Sequence, residues 1–257
     1  MTVTINEISA AILNLGLANR SLCIHSSLRS FGWVEGGAQT VVDAFLRCNC
    51  TIMVPTHSYA YQLRVPFEDA AVQASQIIFH PSSNVVDVES MGQISATVLL
   101  TEGRIRGNHP IDSFTAVGPC AAELVGVQTP DDVYAPVREL AKQDGYVVLM
   151  GVGLNKLTAF HLAEKMAGRQ LYEEWVLGES GQPMRAAIGD CSDGFPNLDR
   201  VVAPIEQRTY VGKSLWRVFP IRPALELASE AIRTNPAITH CGRADCAHCN
   251  TNARTHC

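Results

Sequence analysis

The chain has 257 residues with a formal net charge of −5, and 47% of them are hydrophobic and 18% charged, as in a globular protein with a substantial buried core. The acidic balance argues against nucleic-acid binding, because nucleic-acid-binding surfaces are basic, and no apolar stretch approaches the length of a membrane span. The N-terminus, M-T-V-T-I-N-E-I, has neither the basic nor the apolar part of a signal peptide, so we expect a cytoplasmic protein with no membrane partner.

From the N-terminus, helical and extended patterns alternate. The apolar residues of 5–18 recur at helical spacing and predict an amphipathic helix. Ser21–His25 is a short apolar run typical of a buried strand, and Gly36–Cys48 again has helical spacing. Thr51–Pro55 is β-branched, apolar and ended by proline, which predicts a second strand.

Residues 58–91 are irregular and rich in turn residues, and a long loop of this kind inside a compact domain is often functional. The later elements predicted are a helix at 94–100, a loop at 107–114, a helix at 137–143, a strand at Tyr146–Met150, a hairpin from 171–177 and 184–188, and helices near 199–207 and 224–233. Strands and helices mostly alternate over the first 165 residues, so the predicted fold class is α/β.

The stretch from Tyr146 to Glu164 favours acid–base chemistry. An apolar run ends in a Gly-Val-Gly turn, and a helix then begins with Thr158 as its predicted N-cap, so that His161 is the third helical residue. Glu164 follows one helical turn later, where it either orients His161 or meets it incidentally. The helix dipole favours the neutral form of the His161 imidazole, whereas the negative charge of Glu164 favours the protonated form. The alternative is a structural histidine.

A serine- and glycine-rich segment lies between the first predicted strand and the next helix. Gly32, Gly36 and Gly37 allow tight turns, and backbone N–H groups near a helix start can bind a phosphate or an amide-rich ligand. The segment matches neither the P-loop nor the dinucleotide-binding motif. A purely structural turn is the alternative.

The C-terminal tail is rich in potential metal ligands. Cys241, Cys246, Cys249 and Cys257 follow a C-x4-C-x2-C-x7-C pattern, which supplies enough thiolates for one tetrahedral zinc. The alternatives are a frayed tail with reactive thiols or a local disulfide. The other cysteines are scattered and are interpreted as reduced, mostly buried thiols: Cys23, Cys48, Cys50, Cys120 and Cys191. We therefore divide the chain into a domain at 1–239 and a tail at 240–257.

Four blocks in order resemble the aminoglycoside 3-N-acetyltransferase family. They are H-S-S-L-R-S-F-G-W-V-E-G-G-A-Q-T-V-V-D-A-F at 25–45, T-I-M-V-P-T-H-S at 51–58, R-G-N-H-P-I-D-S-F-T-A-V-G at 106–118, and V-L-M-G-V-G-L-N-K-L-T-A-F-H-L-A-E at 148–164. The resemblance implies a mixed β-sheet flanked by helices, acetyl-CoA as donor, and a cationic aminocyclitol amine of the 3-amino type as acceptor.

The resemblance also implies roles for individual residues. His161 would be the general base, and the pantetheine and phosphate of CoA would meet Ser26, Ser27, Leu28, Gly32 and Gly37. Arg106 would neutralise a CoA phosphate, with a surface salt bridge as the alternative. The block at 106–110 has Gly107 where the family has a serine, and His109 is interpreted as a residue that orders the loop.

Direct acyl transfer from a thioester fits these residues chemically. A neutral histidine takes the proton of the amine, and the oxyanion needs donors such as backbone N–H groups or the hydroxyl of Thr56 or Ser58; Thr56 is grouped with the acetyl-CoA contacts. No G-x-S-x-G nucleophile motif is present. Candidate carboxylates for a cationic acceptor are Glu89, Asp112, Asp190, Asp193 and Glu206.

Three alternatives stay open at this point. One is the same chemistry on another small-molecule amine, one is a metal-binding protein whose tail carries the function, and one is a non-catalytic CoA-binding relative. No oligomeric state is predicted.

Overall fold

The computed structural model describes residues 2–63 and 77–252. The strands are β1 (Thr2–Val3), β2 (Ser21–Ser26), β3 (Trp33–Val34), β4 (Thr51–Pro55), β5 (Ile105–Arg106), β6 (Phe114–Val117), β7 (Tyr146–Met150), β8 (Tyr172–Leu177), β9 (Pro183–Ile188), β10 (Gln207–Val211) and β11 (Ser214–Pro220). The α-helices are α1 (Ile5–Asn14), α2 (Gly37–Arg47), α3 (Val88–Leu100), α4 (Ala121–Val125), α5 (Ala135–Lys142), α6 (Phe160–Met166), α7 (Asp199–Val202), α8 (Ile221–Thr234) and α9 (Ala247–Asn252).

A seven-stranded mixed sheet forms the centre of the fold, in the order β10-β11-β7-β2-β4-β6-β5. Its middle strands β7, β2 and β4 are parallel, and the strands added on either side are antiparallel. The α/β class with a mixed sheet flanked by helices is therefore confirmed.

Both faces of the sheet are buried, because alternate strand residues point into two separate hydrophobic cores. Cys23 and Met53 pack with helices α4, α5, α6 and α8 on one face. Leu22, Ile24 and Ile52 pack with α1, α2 and α3 on the other. Continuous apolar strands such as β2 and β4 are the sequence signature of this arrangement.

Several predicted elements need correction. The helix predicted near 199–207 is only the four-residue α7, and the chain then forms the hairpin β10–β11, which the sequence analysis missed. The predicted loop at 107–114 is flanked by β5 and β6, which were also missed. The first helix ends at Asn14 rather than at residue 18.

Two further findings concern the periphery. The hairpin predicted from 171–177 and 184–188 is confirmed as the separate two-stranded sheet β8–β9. Within the residues that the structure describes, no helix has both the length and the apolarity required to cross a bilayer.

Candidate active site

A cavity of about 300 Å³ opens where the carboxyl ends of the parallel strands meet. In open α/β sheets a ligand site at this edge follows from topology, because connections that leave neighbouring strands on opposite faces leave a crevice between them. Here the chain leaves β2 towards α2 on one face, whereas α5 and α6 lie on the other. The lining residues include His25 and Ser26 of β2, His57 after β4, and Asn155, Lys156, Thr158 and His161 after β7.

His161 reaches the cavity from the first turn of α6. The helix begins at Phe160, so His161 is its second residue, and the N-cap is Ala159, which makes no side-chain cap hydrogen bond. The predicted Thr158 cap is therefore wrong. The backbone N–H of His161 already donates to the Thr158 carbonyl (3.2 Å), so the turn before the helix satisfies this donor without a capping side chain.

Glu164 is the partner of His161, at the one-turn spacing noted in the sequence. The Nδ1 of His161 lies 2.9 Å from Glu164 Oε2, and both side chains are buried. The carboxylate also accepts hydrogen bonds from Arg169 and from Thr239 Oγ1, the latter at 2.8 Å. Burial raises the pKa of Glu164, but the hydrogen bond and charge of His161 and the charge of Arg169 lower it more, to below its ordinary value.

Aromatic rings fix the orientation of the His161 imidazole. The ring of Tyr134 is stacked on it with 6.0 Å between centroids, and Phe195 lies 4.8 Å away. Gly189 approaches the other edge, since a Cβ there would lie 2.7 Å from His161 Cδ2. Only glycine permits this approach of the backbone to the imidazole.

A second histidine that lines the cavity is also paired with a carboxylate, and the sequence analysis did not identify this pair. His57 Nδ1 lies 3.3 Å from Asp112 Oδ1. Burial lowers the pKa of His57; the charge of Asp112 raises it and that of His161 lowers it, and the resulting pKa lies below the ordinary value. The signal was the polar T-H-S directly after an apolar strand, but only the fold brings Asp112 to it.

Two buried polar atoms of cavity-lining residues have no hydrogen-bond partner among the described residues. They are His57 Nε2 and the hydroxyl of Tyr134. Burial raises the pKa of Tyr134 well above its ordinary value, so this hydroxyl stays a donor. Because buried polar groups are nearly always paired, both atoms are candidates for contact with a bound molecule.

His25 is the third histidine that lines the cavity. It is buried, and its Nε2 lies 3.6 Å from the Cys23 sulfur. Burial, followed by the charges of His57 and Lys156, lowers the pKa of His25 to about 3. His25 is therefore neutral at physiological pH.

His109 orders the loop before β6, as the sequence suggested. Its Nδ1 accepts the backbone N–H of Asp112 at 2.8 Å, and its Nε2 lies 2.7 Å from the Ala187 carbonyl. The Nε2 therefore carries the proton. This loop in turn holds Asp112, whose Oδ2 accepts the backbone N–H of Gly189 at 3.0 Å.

The residues assigned to CoA by resemblance lie in different places. Ser26 lines the cavity, and Ser27 and Leu28 continue from it into a 3₁₀ turn at Leu28–Phe31. Gly32 ends that turn with a φ of 87°. Gly37 is the first residue of α2, whose N-terminus has no side-chain cap.

Arg106 and Thr56 are buried away from the cavity wall. Arg106 donates to the Thr56 carbonyl, the Ser83 carbonyl and the Ser113 hydroxyl. The Thr56 hydroxyl bonds to Ser113 and Thr115. Their polar atoms are engaged inside the protein, which argues against a phosphate contact by Arg106 and an oxyanion contact by Thr56. Arg106 instead joins the segment around 83–85 to the sheet.

Only two of the candidate carboxylates lie at the cavity, namely Asp112 and Asp190. Glu206 pairs with Arg208 and Arg217, whereas Asp193 pairs with Arg243. Glu89 is exposed near the start of α3. The sequence could not separate these acids, because which of them reaches the cavity depends on the loops that the fold brings together.

Three tail cysteines predicted as metal ligands come together with a fourth from elsewhere. The ligand atoms of Cys191, Cys241, Cys246 and Cys249 all lie within 4.8 Å of one another. The predicted ligand Cys257 lies outside the described residues. Cys191, which the sequence analysis grouped with the scattered thiols, is a member of the cluster because the loop after β9 folds against the tail.

Comparisons with known proteins converge on one family. The family model described as aminoglycoside 3-N-acetyltransferase matches residues 23–233. Aminoglycoside N(3)-acetyltransferase IX of Micromonospora chalcea is 30% identical over 180 residues, which make up 64% of this chain and 63% of that protein.

Two solved structures illustrate the likeness of the fold. A variant of aminoglycoside acetyltransferase AAC(3)-IVa in complex with a gentamicin has a TM-score of 0.81 and 24% identity, covering 98% of this chain and 97% of that one. AAC-IIIb in binary complex with CoASH has a TM-score of 0.79 and 19% identity, covering 91% and 97%.

Proposed function

The chain belongs to the aminoglycoside 3-N-acetyltransferase family, and on that premise we propose that it transfers an acetyl group from acetyl-CoA to an amino group of the 3-amino type on an aminoglycoside or related aminocyclitol. The observation that carries the proposal is the buried His161–Glu164 pair at the cavity on the carboxyl edge of the sheet. A cytoplasmic location is part of the same proposal, because acetyl-CoA is a metabolite of the cell interior and the described cysteines are free thiols.

His161 is the proposed general base. With Nδ1 bonded to the Glu164 carboxylate, the imidazole keeps its proton on Nδ1 and leaves the Nε2 lone pair free. As the amine nitrogen forms its bond to the thioester carbonyl carbon, Nε2 takes the amine proton. The carbon–sulfur bond then breaks, and the proton returns from the imidazolium to the departing thiolate. No covalent intermediate on the protein is needed.

We assign stabilisation of the oxyanion to the hydroxyl of Tyr134, which has no hydrogen-bond partner among the described residues, rather than to Thr56. Tyr134 packs on the His161 ring and its raised pKa keeps the hydroxyl protonated, whereas the Thr56 hydroxyl is fully engaged. A positioned donor of this kind stabilises developing negative charge most in a site that excludes water.

Two features support the choice of substrates. Asp112 and Asp190 line the cavity and favour a cationic acceptor. The uncapped N-terminus of α2 and the preceding 3₁₀ turn favour the phosphate and amide groups of CoA. The CoASH-bound and gentamicin-bound relatives support the same pair of ligands.

Acetylation of a smaller amine is the second candidate. The cavity volume of about 300 Å³ lies at the lower end of the range for small-molecule sites, which favours a compact acceptor. The catalytic residues are the same in both cases.

Thiol release from acetyl-CoA tests the proposal, with an acceptor panel of aminoglycosides, analogues blocked at the 3-amino group, and simple amines. We expect release that depends on an aminoglycoside with a free 3-amino group. His161→Ala should lower kcat by roughly 10²–10⁴-fold with CoA binding unchanged by calorimetry. His80→Ala is the matched control, because His80 is exposed and does not line the cavity.

Each arm has a contradicting result. Absence of release with every acceptor would overturn the proposed activity, and release with simple amines alone would favour the second candidate. Undiminished turnover in His161→Ala would exclude His161 as the base.

The tail adds a metal to the proposal. We assign it a structural zinc rather than a reactant, because no residue described at the cavity wall is a cysteine and a four-thiolate site has no open position for substrate.

A further inference from the structure

Cys191 lies close to three cysteines of the C-terminal segment, the first of which follows it by 50 residues in the sequence. It lies in the loop between β9 and the 3₁₀ turn at Phe195–Leu198, whereas Cys241, Cys246 and Cys249 belong to the C-terminal segment. Cys246 and Cys249 are buried, and the other two are half-buried. All four are free thiols.

The sulfur positions fit tetrahedral metal coordination. A zinc–sulfur bond of about 2.3 Å places the sulfurs of a tetrahedral site roughly 3.8 Å apart. Cys241 Sγ and Cys249 Sγ are 3.6 Å apart, and no pair in the cluster exceeds 4.8 Å. Cys246 and Cys249 also have the C-x2-C spacing of a common zinc chelate.

Local hydrogen bonding favours thiolate ligands. The backbone N–H of Cys241 donates to Cys249 Sγ at 3.4 Å, and such outer contacts stabilise the charge on a ligating sulfur. Soft sulfur ligands select zinc over magnesium or calcium. Four sulfurs this close have little reason to converge as neutral thiols, because each forms only weak hydrogen bonds.

We propose a tetrahedral zinc–thiolate site that links the C-terminal segment to the loop at 189–194. Its ligands are Cys191, Cys241, Cys246 and Cys249. Four zinc–sulfur bonds form, the thiol protons leave to solvent, and no oxidation occurs. The ligand set has three tail cysteines and one from the body of the domain, so the metal holds the described part of the tail, residues 240–252, to the rest of the domain.

The proposed zinc site lies beside a residue that lines the cavity and beside a residue that contacts Glu164. Asp190 precedes Cys191, lines the cavity, and lies 2.7 Å from His248 Nδ1 of the tail. Thr239, two residues before Cys241, donates to Glu164. Gly194 lies so close to the Thr239 backbone that it has no room for a Cβ. Metal binding therefore holds Asp190 and Thr239 in place, a consequence that rests on the proposed function.

Metal analysis of the full chain, purified under reducing conditions, tests the ligand set. We expect one zinc per wild-type chain and the same for Cys120→Ser and Cys257→Ser. Cys120→Ser is the matched control because Cys120 is half-buried, free and outside the cluster. Cys191→Ser should lower the zinc affinity by more than about tenfold. Zinc bound by Cys191→Ser with wild-type affinity, or zinc lost by Cys257→Ser, would overturn the proposal.

Cobalt titration of the reduced, metal-free wild-type chain keeps the test independent of any folding defect in a variant. One equivalent of cobalt should give the intense ligand-field and thiolate charge-transfer bands of a tetrahedral site. Octahedral cobalt, no bound cobalt, or a disulfide among these cysteines would overturn the site.

These readouts do not depend on acetyl transfer. A chain that binds zinc through Cys191 but fails to acetylate any acceptor keeps the metal site and loses the proposed function. A chain that acetylates an aminoglycoside but binds no zinc gives the opposite result.

Discussion

Two histidines that line the cavity, His161 and His57, are each paired with a carboxylate, and the two pairs differ in how the carboxylate is supported. His161 and Glu164 come from one turn of one helix, at 2.9 Å, and the other carboxylate oxygen is held by Arg169 and Thr239. His57 and Asp112 come from segments after β4 and before β6, at 3.3 Å, and Asp112 is otherwise held by the backbone N–H of Gly189.

This difference indicates that His161 and His57 have different roles. A buried cation keeps Glu164 ionised, so this carboxylate stays able to stabilise an imidazolium that forms during proton transfer. Among the described residues no arginine or lysine forms an ion pair with Asp112, and burial keeps the pKa of His57 below its ordinary value. We infer that His161 exchanges protons and that His57 stays a neutral hydrogen-bonding group.

Replacing each carboxylate by its amide gives the largest expected contrast. Glu164→Gln removes the charge and turns an NH₂ group towards donors, so kcat should fall by roughly 10²–10⁴-fold. Asp112→Asn should lower kcat by less than about tenfold. Steady-state kinetics of the two variants, with thermal unfolding as a control for folding, measure the contrast. A larger loss in Asp112→Asn would reverse the assignment of the two pairs.

The third histidine extends the comparison to stability. His25 has a folded pKa of about 3, so between pH 6.5 and 3 the unfolded chain binds a proton that the folded chain does not. Its contribution to the free energy of unfolding is complete above pH 6.5 and falls by up to about 1.4 kcal/mol per pH unit below it.

Denaturant unfolding at pH 7, 6, 5 and 4 checks this prediction. His25→Gln should lose less stability than the wild type over that range, and His80→Gln, which changes an exposed histidine, should follow the wild type. Parallel curves for His25→Gln and the wild type would contradict the assigned burial of the charge.

Loss of the hydrogen bond from Thr239 to Glu164 should have a moderate effect on kcat. Thr239→Val removes a hydrogen bond to the ionised Glu164 and an acceptor for Arg169. Hydrogen bonds to charged groups are worth about 1.5–3 kcal/mol, and we expect only part of this to act on the transition state because Arg169 still holds Glu164. We expect kcat to fall about five- to tenfold while the KM for acetyl-CoA stays unchanged. Thr239→Ser keeps the hydroxyl and should restore most of the rate. Equal losses in both variants would show that the packing of Thr239 matters rather than its hydroxyl.

The smallest effect is expected at His57. His57→Gln keeps a polar group in the cavity wall, so kcat should change by less than about threefold and the KM for the acceptor should rise several-fold, because one hydrogen bond is altered. Titration of the acceptor at saturating acetyl-CoA measures both quantities. A fall in kcat as large as that of His161→Ala would make His57 a second proton-transfer group.

Local sequence was sufficient to predict the strands and helices whose hydrophobic pattern is uninterrupted. The apolar runs of β2, β4 and β7 and the helical spacing of α2 and α8 predicted those elements within a few residues. The hairpin β10–β11 was missed although Gly212-Lys213 is a two-residue turn of the hairpin type. Arg217 interrupts the apolar pattern of β11, and only the fold supplies Glu206 and Asp199 as its partners.

The residues of the candidate site fall into the same two groups, those that a local sequence pattern predicts and those that it does not. His161 and Glu164 were identifiable because a helix brings residues three apart to one face. His57 with Asp112, and Cys191 with the tail cysteines, were not, because their sequence separations have no period that a pattern can detect. Arg106 shows the same limit, since the sequence indicated a phosphate contact and only the fold shows that its guanidinium donates to the Thr56 and Ser83 carbonyls inside the protein.

The sequence by itself determined the α/β class, the strands at the centre of the sheet and the histidine–carboxylate pair on one helix, because these depend on residues within one or two turns of each other. Tertiary structure alone decided which histidines share the cavity, which acids face it, and which cysteine completes the tail cluster. The physical reason is that buried charges and thiols take their partners from wherever the packed chain brings them, and that choice is made by the sheet order and the loops between strands rather than by local propensity.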